Sequence, residues 1–181
     1  NMVSTAAGWS KAGYIPLVDT FAAFGITKGN LPLIMASLSN CPMIAAFSHT
    51  GFQDAADGAS HQSLTYFSAI ASIPNVEAIC VSTSAEAEVL MEQAVRKLDA
   101  DKKAGHGKSY VFFVGRENFI PTLEAIDPVQ SWDDQVVAKG KDVLIAATGP
   151  LLHEALAAKE ILASKGIDAG VINHRFLNNV N

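Results

Sequence analysis

A chain of 181 residues that is 49% apolar and only 17% charged can bury a core of its own, which excludes a disordered segment and any need for disulfide or metal staples. Its thirteen basic and eighteen acidic residues leave a net charge of −5 with no basic stripe, so a general nucleic-acid binder is excluded and only a local anion site remains open. Cys41 and Cys80 form neither a disulfide framework nor a metal spacing; they read as buried small hydrophobes of a reducing compartment, and a cytoplasmic location is expected.

In chain order, Met2 to Lys11 is rich in small residues and reads as a close-packed helix, with no signal peptide expected from Asn1 to Gly8. Gly13 supplies a turn, and Ile15 to Phe21 reads as a buried strand. From Phe24 to Ser37 the apolar spacing is helical but interrupted by Gly25, Gly29 and Pro32, which predicts a broken helix. The charge-free stretch Gly29 to Gln53 is divided by prolines and polar residues, so it is expected in a soluble core, not across a membrane. Met43 to Phe47 is a short apolar strand followed by the polar loop His49 to Gln62, at the end of the strand where open α/β sheets bind ligands.

Ser63 to Ala71 predicts a short helix and Val76 to Val81 the next strand. Thr83 with Glu86 is a capping box, and Ala87, Leu90, Met91, Ala94, Val95 and Leu98 form one apolar stripe behind it. Asp99 to Lys108 reads as a charged connection and Tyr110 to Val114 as a strand. Asn118 to Ala138 lacks periodicity and is read as a linker. Beyond it come a strand over Val143 to Ala147, a helix over Leu151 to Ala163 ended by Lys165-Gly166, and a strand over Ala169 to Asn173. The alternation implies an α/β fold with a mostly parallel sheet and helices on both faces, followed by a second α/β unit of two strands and one helix. That unit is too small to cover a two-sided sheet, and both chain ends fall in helix- or strand-like sequence, so a piece of a longer protein is expected.

His49 and His61 each follow a hydrophobic element and sit among small polar residues, where an imidazole can donate to a ligand or move a proton near neutral pH. Asp57, four residues before His61 with Gly58 between, can share a pocket rim with it. Arg116, just past a strand, can bind phosphate or carboxylate, or else pair with Glu117 or a neighbouring loop. Phe21 and Phe24 can stack on a flat heteroaromatic ring or simply fill core. No phosphate-binding glycine fingerprint, GxSxG elbow or dedicated metal-ligand set is present.

His49 through Gln62, above all Asp57-Gly58-Ala59-Ser60-His61-Gln62, resembles the histidine and Asp-Gly-Pro-Thr-His-Gln signature of transketolases. Gly13-Tyr14-Ile15-Pro16, Thr20-Phe21, Ile73-Pro74-Asn75 and Gly115-Arg116-Glu117-Asn118 fall in that family's order and spacing. The resemblance implies a thiamine diphosphate-binding fold, with a pyrimidine-binding domain over residues 1–125, a linker over 126–141, and the truncated start of a transketolase carboxyl-terminal domain over 142–181. It implies transfer of a two-carbon ketol unit between sugar phosphates in the pentose phosphate pathway. Phe24 would stack on the aminopyrimidine of thiamine diphosphate with Phe21 lining the pocket. His49 and Arg116 would bind the substrate phosphate, Asp57 and His61 would read its hydroxyls, and His61 would also assist proton transfer. The family's tyrosine falls on Thr27, its acidic residue before the aspartate on Ala56, and its signature proline on Ala59.

The family's activating glutamate would lie just ahead of Asn1, and its diphosphate- and Mg2+-binding domain falls outside the sequence, so these residues alone are expected to be inactive. A homodimer, or a complex with a separate diphosphate-binding subunit, is implied. Alternatives are a deoxyxylulose-phosphate synthase, the β subunit of a 2-oxo acid dehydrogenase, a non-catalytic interaction subunit, and a generic nucleotide-binding α/β protein.

Overall fold

The computed structural model describes residues 1–116, 123, 126 and 130–179. Two compact units emerge: one comprises Asn1–Ile79, Glu92–Glu117 and Leu177–Asn181, the other Cys80–Met91 and Asn118–Phe176.

The first unit opens with α1 (Met2–Lys11), turns at Gly13 with φ +99°, and enters β1 (Leu17–Phe21). Then follow α2 (Ala22–Leu38), β2 (Ile44–Ser48), α3 (Tyr66–Ile70), β3 (Val76–Cys80), α4 (Ser84–Lys103), which belongs to this unit from Glu92 onward, and β4 (Ser109–Phe113). Among the described residues the strands form one sheet in the order β1-β2-β4-β3, and β1 to β2 and β2 to β4 pair parallel. Every residue of β3 and β4 is buried, as expected of strands covered on both faces. The mostly parallel sheet with flanking helices is the expected one.

Three expectations are corrected. The helix predicted as broken is continuous as α2, because its breakers suit its packing. Gly25 lies against the buried ring of Phe47, where a Cβ would come within 2.7 Å, and Gly29 faces Val3 in the same way at 3.1 Å. Pro32 is carried inside the helix at the loss of one backbone donor. Asp99 to Lys103 is not a connection but the last turn of α4, supported by an Asp99–Lys103 ion pair at 2.6 Å and lysines near the negative helix end. Along α4 the fully buried stripe is Leu90, Ala94 and Leu98, while Val95 is exposed.

In the second unit, β5 (Gln135–Ala138) occupies part of the stretch expected to be irregular. It is followed by β6 (Val143–Ala147), α5 (Leu151–Ser164) and β7 (Ala169–Asn173). The sheet among the described residues therefore has three strands, not two, in the order β5-β7-β6, with β5 antiparallel and β6 parallel to β7. β5 escaped the periodicity reading because it has only four residues and carries a bulge between Val136 and Ala138, which breaks the alternation. Leu123, Leu152, Ala155 and Val171 form the core of this unit. No helix among the described residues is long and apolar enough to cross a membrane.

Candidate functional site

Parallel pairing brings the carboxyl ends of β1, β2 and β4 side by side, with Phe21 opposite Ser48 and Phe47 opposite Phe113. From this edge the chain leaves β1 through Phe21 into α2, leaves β2 into His49, and leaves β4 toward Arg116. Phe21 is the extended residue that precedes α2, and Phe24 lies in its first turn, so their rings stack at 6.0 Å with 14° between planes. His49 adopts φ +60°, a left-handed conformation uncommon for a non-glycine residue, and its ring lies flat on Phe21 with centroids 3.6 Å apart. His61 meets both phenyl rings edge-on, at 5.7 Å from Phe21 and 5.1 Å from Phe24. Four of the residues singled out from the sequence thus form a single aromatic cluster.

Each imidazole is held by the serine that precedes it. Ser48 Oγ shares a hydrogen bond with His49 Nδ1 at 2.8 Å, and Ser60 Oγ with His61 Nδ1 at 2.9 Å. Fixing Nδ1 leaves Nε2 as the nitrogen of each ring for a ligand or a proton.

The loop after β2 is tied to the loop after β4. Thr50 donates from N–H and Oγ1 to the Val114 carbonyl, at 3.3 and 3.1 Å, and the Arg116 N–H donates to Gln53 Oε1 at 2.9 Å. Arg116 Nε lies 3.2 Å from Asp54 Oδ1, and Asp54 is completely buried. The same Oδ1 accepts the Asp57 N–H at 3.3 Å, while the Asp54 carbonyl accepts from Gly58 N–H and Gln62 Nε2, each at 3.2 Å. Gly58, at φ +76°, makes the turn that leads to His61.

Arg116 sits at the expected edge, and its carboxylate partner is Asp54 of the neighbouring loop; Glu117, the other partner considered, lies outside the described residues. Asp57 is exposed, and no hydrogen bond or ion pair among the described residues joins it to His61. Neither Gln53 nor Asp54 was singled out from the sequence. Only the position of a carboxylate between His49 and Asp57 in a small-residue loop hinted at one, and burial cannot be read from such a loop.

The Phe24 ring is 41% exposed and lines two cavities. One, of about 220 Å³, is shared with Asn1, Met2, Thr20 and Lys28. The other, of about 300 Å³, is shared with Thr27, Ser60, Gln62 and Ser63. An accessible aromatic face beside such space fits a planar heteroaromatic ring such as the aminopyrimidine of thiamine diphosphate. Thr27 adds no aromatic wall, and its hydroxyl donates to the Ala23 carbonyl at 2.7 Å. Among the described residues no group of three or more His, Cys, Asp or Glu could hold a metal ion. A larger cavity of about 540 Å³ is lined mainly by α1 and α2 and lies away from these groups.

A second polar cluster belongs to the other unit. The Thr83 Oγ1 accepts the Glu86 N–H at 3.0 Å, as a capping box requires, but the Glu86 carboxylate reaches the N–H of Ser82 at 2.7 Å in place of that of Thr83. Glu86 also accepts from Asn173 Nδ2 at 2.8 Å and faces Arg175 Nη1 at 3.6 Å. Burial pushes the Glu86 carboxyl above its ordinary value against the pull of Ser82 and Arg175, and burial lowers the Arg175 guanidinium. Burial likewise raises the Cys80 thiol to about 11, which keeps it an inert packing group.

Residues 1–104 match the family described as transketolase, pyrimidine binding domain, and residues 134–181 match transketolase, C-terminal domain. Among curated relatives, the 1-deoxy-D-xylulose-5-phosphate synthase of Clostridium beijerinckii is 28% identical over 97% of this chain and 27% of its own length. That of Halothermothrix orenii is 27% identical over 97% of this chain and 26% of its own. The chain therefore spans about a quarter of the length of these relatives. A split-gene transketolase, solved as an inactive β4 tetramer, is 26% identical with a TM-score of 0.74 over 93% of this chain and 52% of that one. The transketolase of Leishmania mexicana shares the fold, with a TM-score of 0.77 at 20% identity over 98% of this chain and 26% of its own. With more than half of its residues inside one family match and the aromatic cluster at the sheet edge within it, this chain belongs to the transketolase pyrimidine-binding domain family and continues into the start of a transketolase carboxyl-terminal domain.

Proposed function

We propose that this chain supplies the pyrimidine-ring and sugar-phosphate half of a thiamine diphosphate-dependent site that transfers a two-carbon ketol unit between phosphorylated sugars. The observation that carries this reading is the cluster of Phe21, Phe24, His49 and His61 at the carboxyl edge of the sheet, with both histidines on a loop bonded to the one that bears Arg116. Thiamine diphosphate, when bound, supplies the nucleophilic carbon that carries the two-carbon unit; the protein binds, orients and moves protons. Phe24 offers its exposed face to the aminopyrimidine, with Phe21 behind it. Asn1, next to which the family resemblance puts the activating glutamate, lines the cavity against Phe24. His61, steadied at Nδ1 by Ser60, holds or accepts a proton at Nε2 near a substrate hydroxyl, and His49, steadied by Ser48, offers its Nε2 to the substrate phosphate. Arg116 binds the terminal phosphate, and the exposed Asp57 carboxylate accepts from a sugar hydroxyl. The diphosphate and its Mg2+ fall to a partner domain, carried either by a second copy or by a separate subunit.

A second reading is a 1-deoxy-D-xylulose-5-phosphate synthase, favoured by curated relatives of that name aligned over nearly the whole chain. Steady-state assays on the intact protein separate the two. Turnover of xylulose 5-phosphate with ribose 5-phosphate is the expected result; turnover only of pyruvate with glyceraldehyde 3-phosphate overturns it in favour of the second reading.

A further inference from the structure

Asp54 is an unusual residue to find wholly buried beside Arg116. Its side chain is wholly inaccessible, and Oδ1 receives both Arg116 Nε at 3.2 Å and the Asp57 N–H at 3.3 Å. Oδ2 is buried without a hydrogen-bond partner. A carboxylate kept in such a place at the cost of desolvation needs the guanidinium as its counter-charge. Through its carbonyl it also receives Gly58 N–H and Gln62 Nε2, so one residue fastens Arg116 to the turn that carries Asp57 and His61.

We infer that Asp54 is a positioning residue that sets the specificity of the site for phosphorylated substrates, an inference that rests on the sugar-phosphate reading above. Two effects oppose one another. The Asp54 charge repels a phosphate bound on the far side of the guanidinium, but from a longer distance and with the cation between them. The hydrogen bond to Nε fixes the plane of a long side chain with many rotamers, so that its donors meet the phosphate already oriented. Orientation wins: a guanidinium released from Asp54 binds phosphate less well despite the gain in local positive charge.

The test compares D54A, which removes the acceptor, with R116Q and the double variant in the intact protein, measuring kcat and KM for ribose 5-phosphate and for ribose as acceptor, with calorimetric binding of ribose 5-phosphate alongside. For D54A, KM and Kd for ribose 5-phosphate rise about tenfold or more, the order that a hydrogen bond to a charged group is worth. Its kcat and the parameters for ribose stay within about twofold, and D54A adds nothing on the R116Q background. Unchanged or tighter ribose 5-phosphate binding by D54A, or an equal loss for both sugars, overturns the role of Asp54 while R116Q still shows phosphate dependence. If R116Q itself leaves ribose 5-phosphate unaffected, the sugar-phosphate reading falls and the inference with it. Should D54A not fold, D54E retains the charge but moves it by one methylene, and the same outcomes decide.

Discussion

Phe24 is where the side-chain chemistry of this chain is easiest to separate from its folding. Its ring is 41% exposed, so it contributes little to the core, yet it is braced by Phe21 at 6.0 Å and by the edge of His61 at 5.1 Å. A ring held in this way loses little freedom when a ligand stacks on it. Phe24→Ala is therefore expected to weaken thiamine diphosphate binding by the intact protein roughly tenfold. Calorimetry measures that loss, and an unchanged far-UV circular dichroism spectrum shows the fold intact. Unaltered affinity would mean that the ring is packing alone. At this scale the sequence placed His49 and His61 among small polar residues after hydrophobic elements, but left Phe21 and Phe24 open between stacking on a ligand and filling core. It was silent about Asp54, since a loop aspartate is ordinarily solvated and nothing local says that this one is buried against Arg116.

Among the elements, α2 has the most to explain. Two glycines and a proline within one helix cost propensity, by about 1 kcal/mol for each glycine and about 3 for the proline. The helix persists because close packing replaces what propensity lacks, with Ala22, Ile26, Leu33 and Ala36 all buried. At Gly25 the two contributions can be set against each other. Gly25→Ala gains about 1 kcal/mol of helix propensity, but its Cβ would lie 2.7 Å from the ring of Phe47, which is wholly buried and cannot swing away. Steric overlap of this kind outweighs propensity, and a net loss of about 1–2 kcal/mol is expected in urea unfolding. Local sequence marks these residues as breaks; the Phe47 ring of β2, packed on Gly25, is what turns one of them into a close-packing position. For β5 the failure was of another sort, since four residues with a bulge give periodicity too little length to register.

For the molecule as a whole, the buried pair Glu86–Arg175 links stability to pH. The Glu86 carboxyl is raised in the fold, so the native state holds its proton more tightly than the unfolded chain does. That contribution to stability is complete below the unfolded value of about 4.3 and is lost as pH rises through the higher folded value. Arg175 limits the loss by favouring the ionised form. Arg175→Met removes that support and leaves a buried charge alone, so it is expected to cost about 3 kcal/mol near neutral pH. The deficit should shrink as acid protonates Glu86, and melting temperatures of both proteins from about pH 5 to 8 check it; a deficit independent of pH would contradict the linkage. The sequence by itself determined the α/β class, the succession of most strands and helices, and the chemical types gathered in the loop from His49 to Gln62, because periodicity and residue type are local properties. Tertiary structure alone decided the continuity of α2, the third strand of the second sheet and the pairing of Asp54 with Arg116. Each of these depends on a contact between residues far apart in the chain, and burial and partnership are set by such contacts.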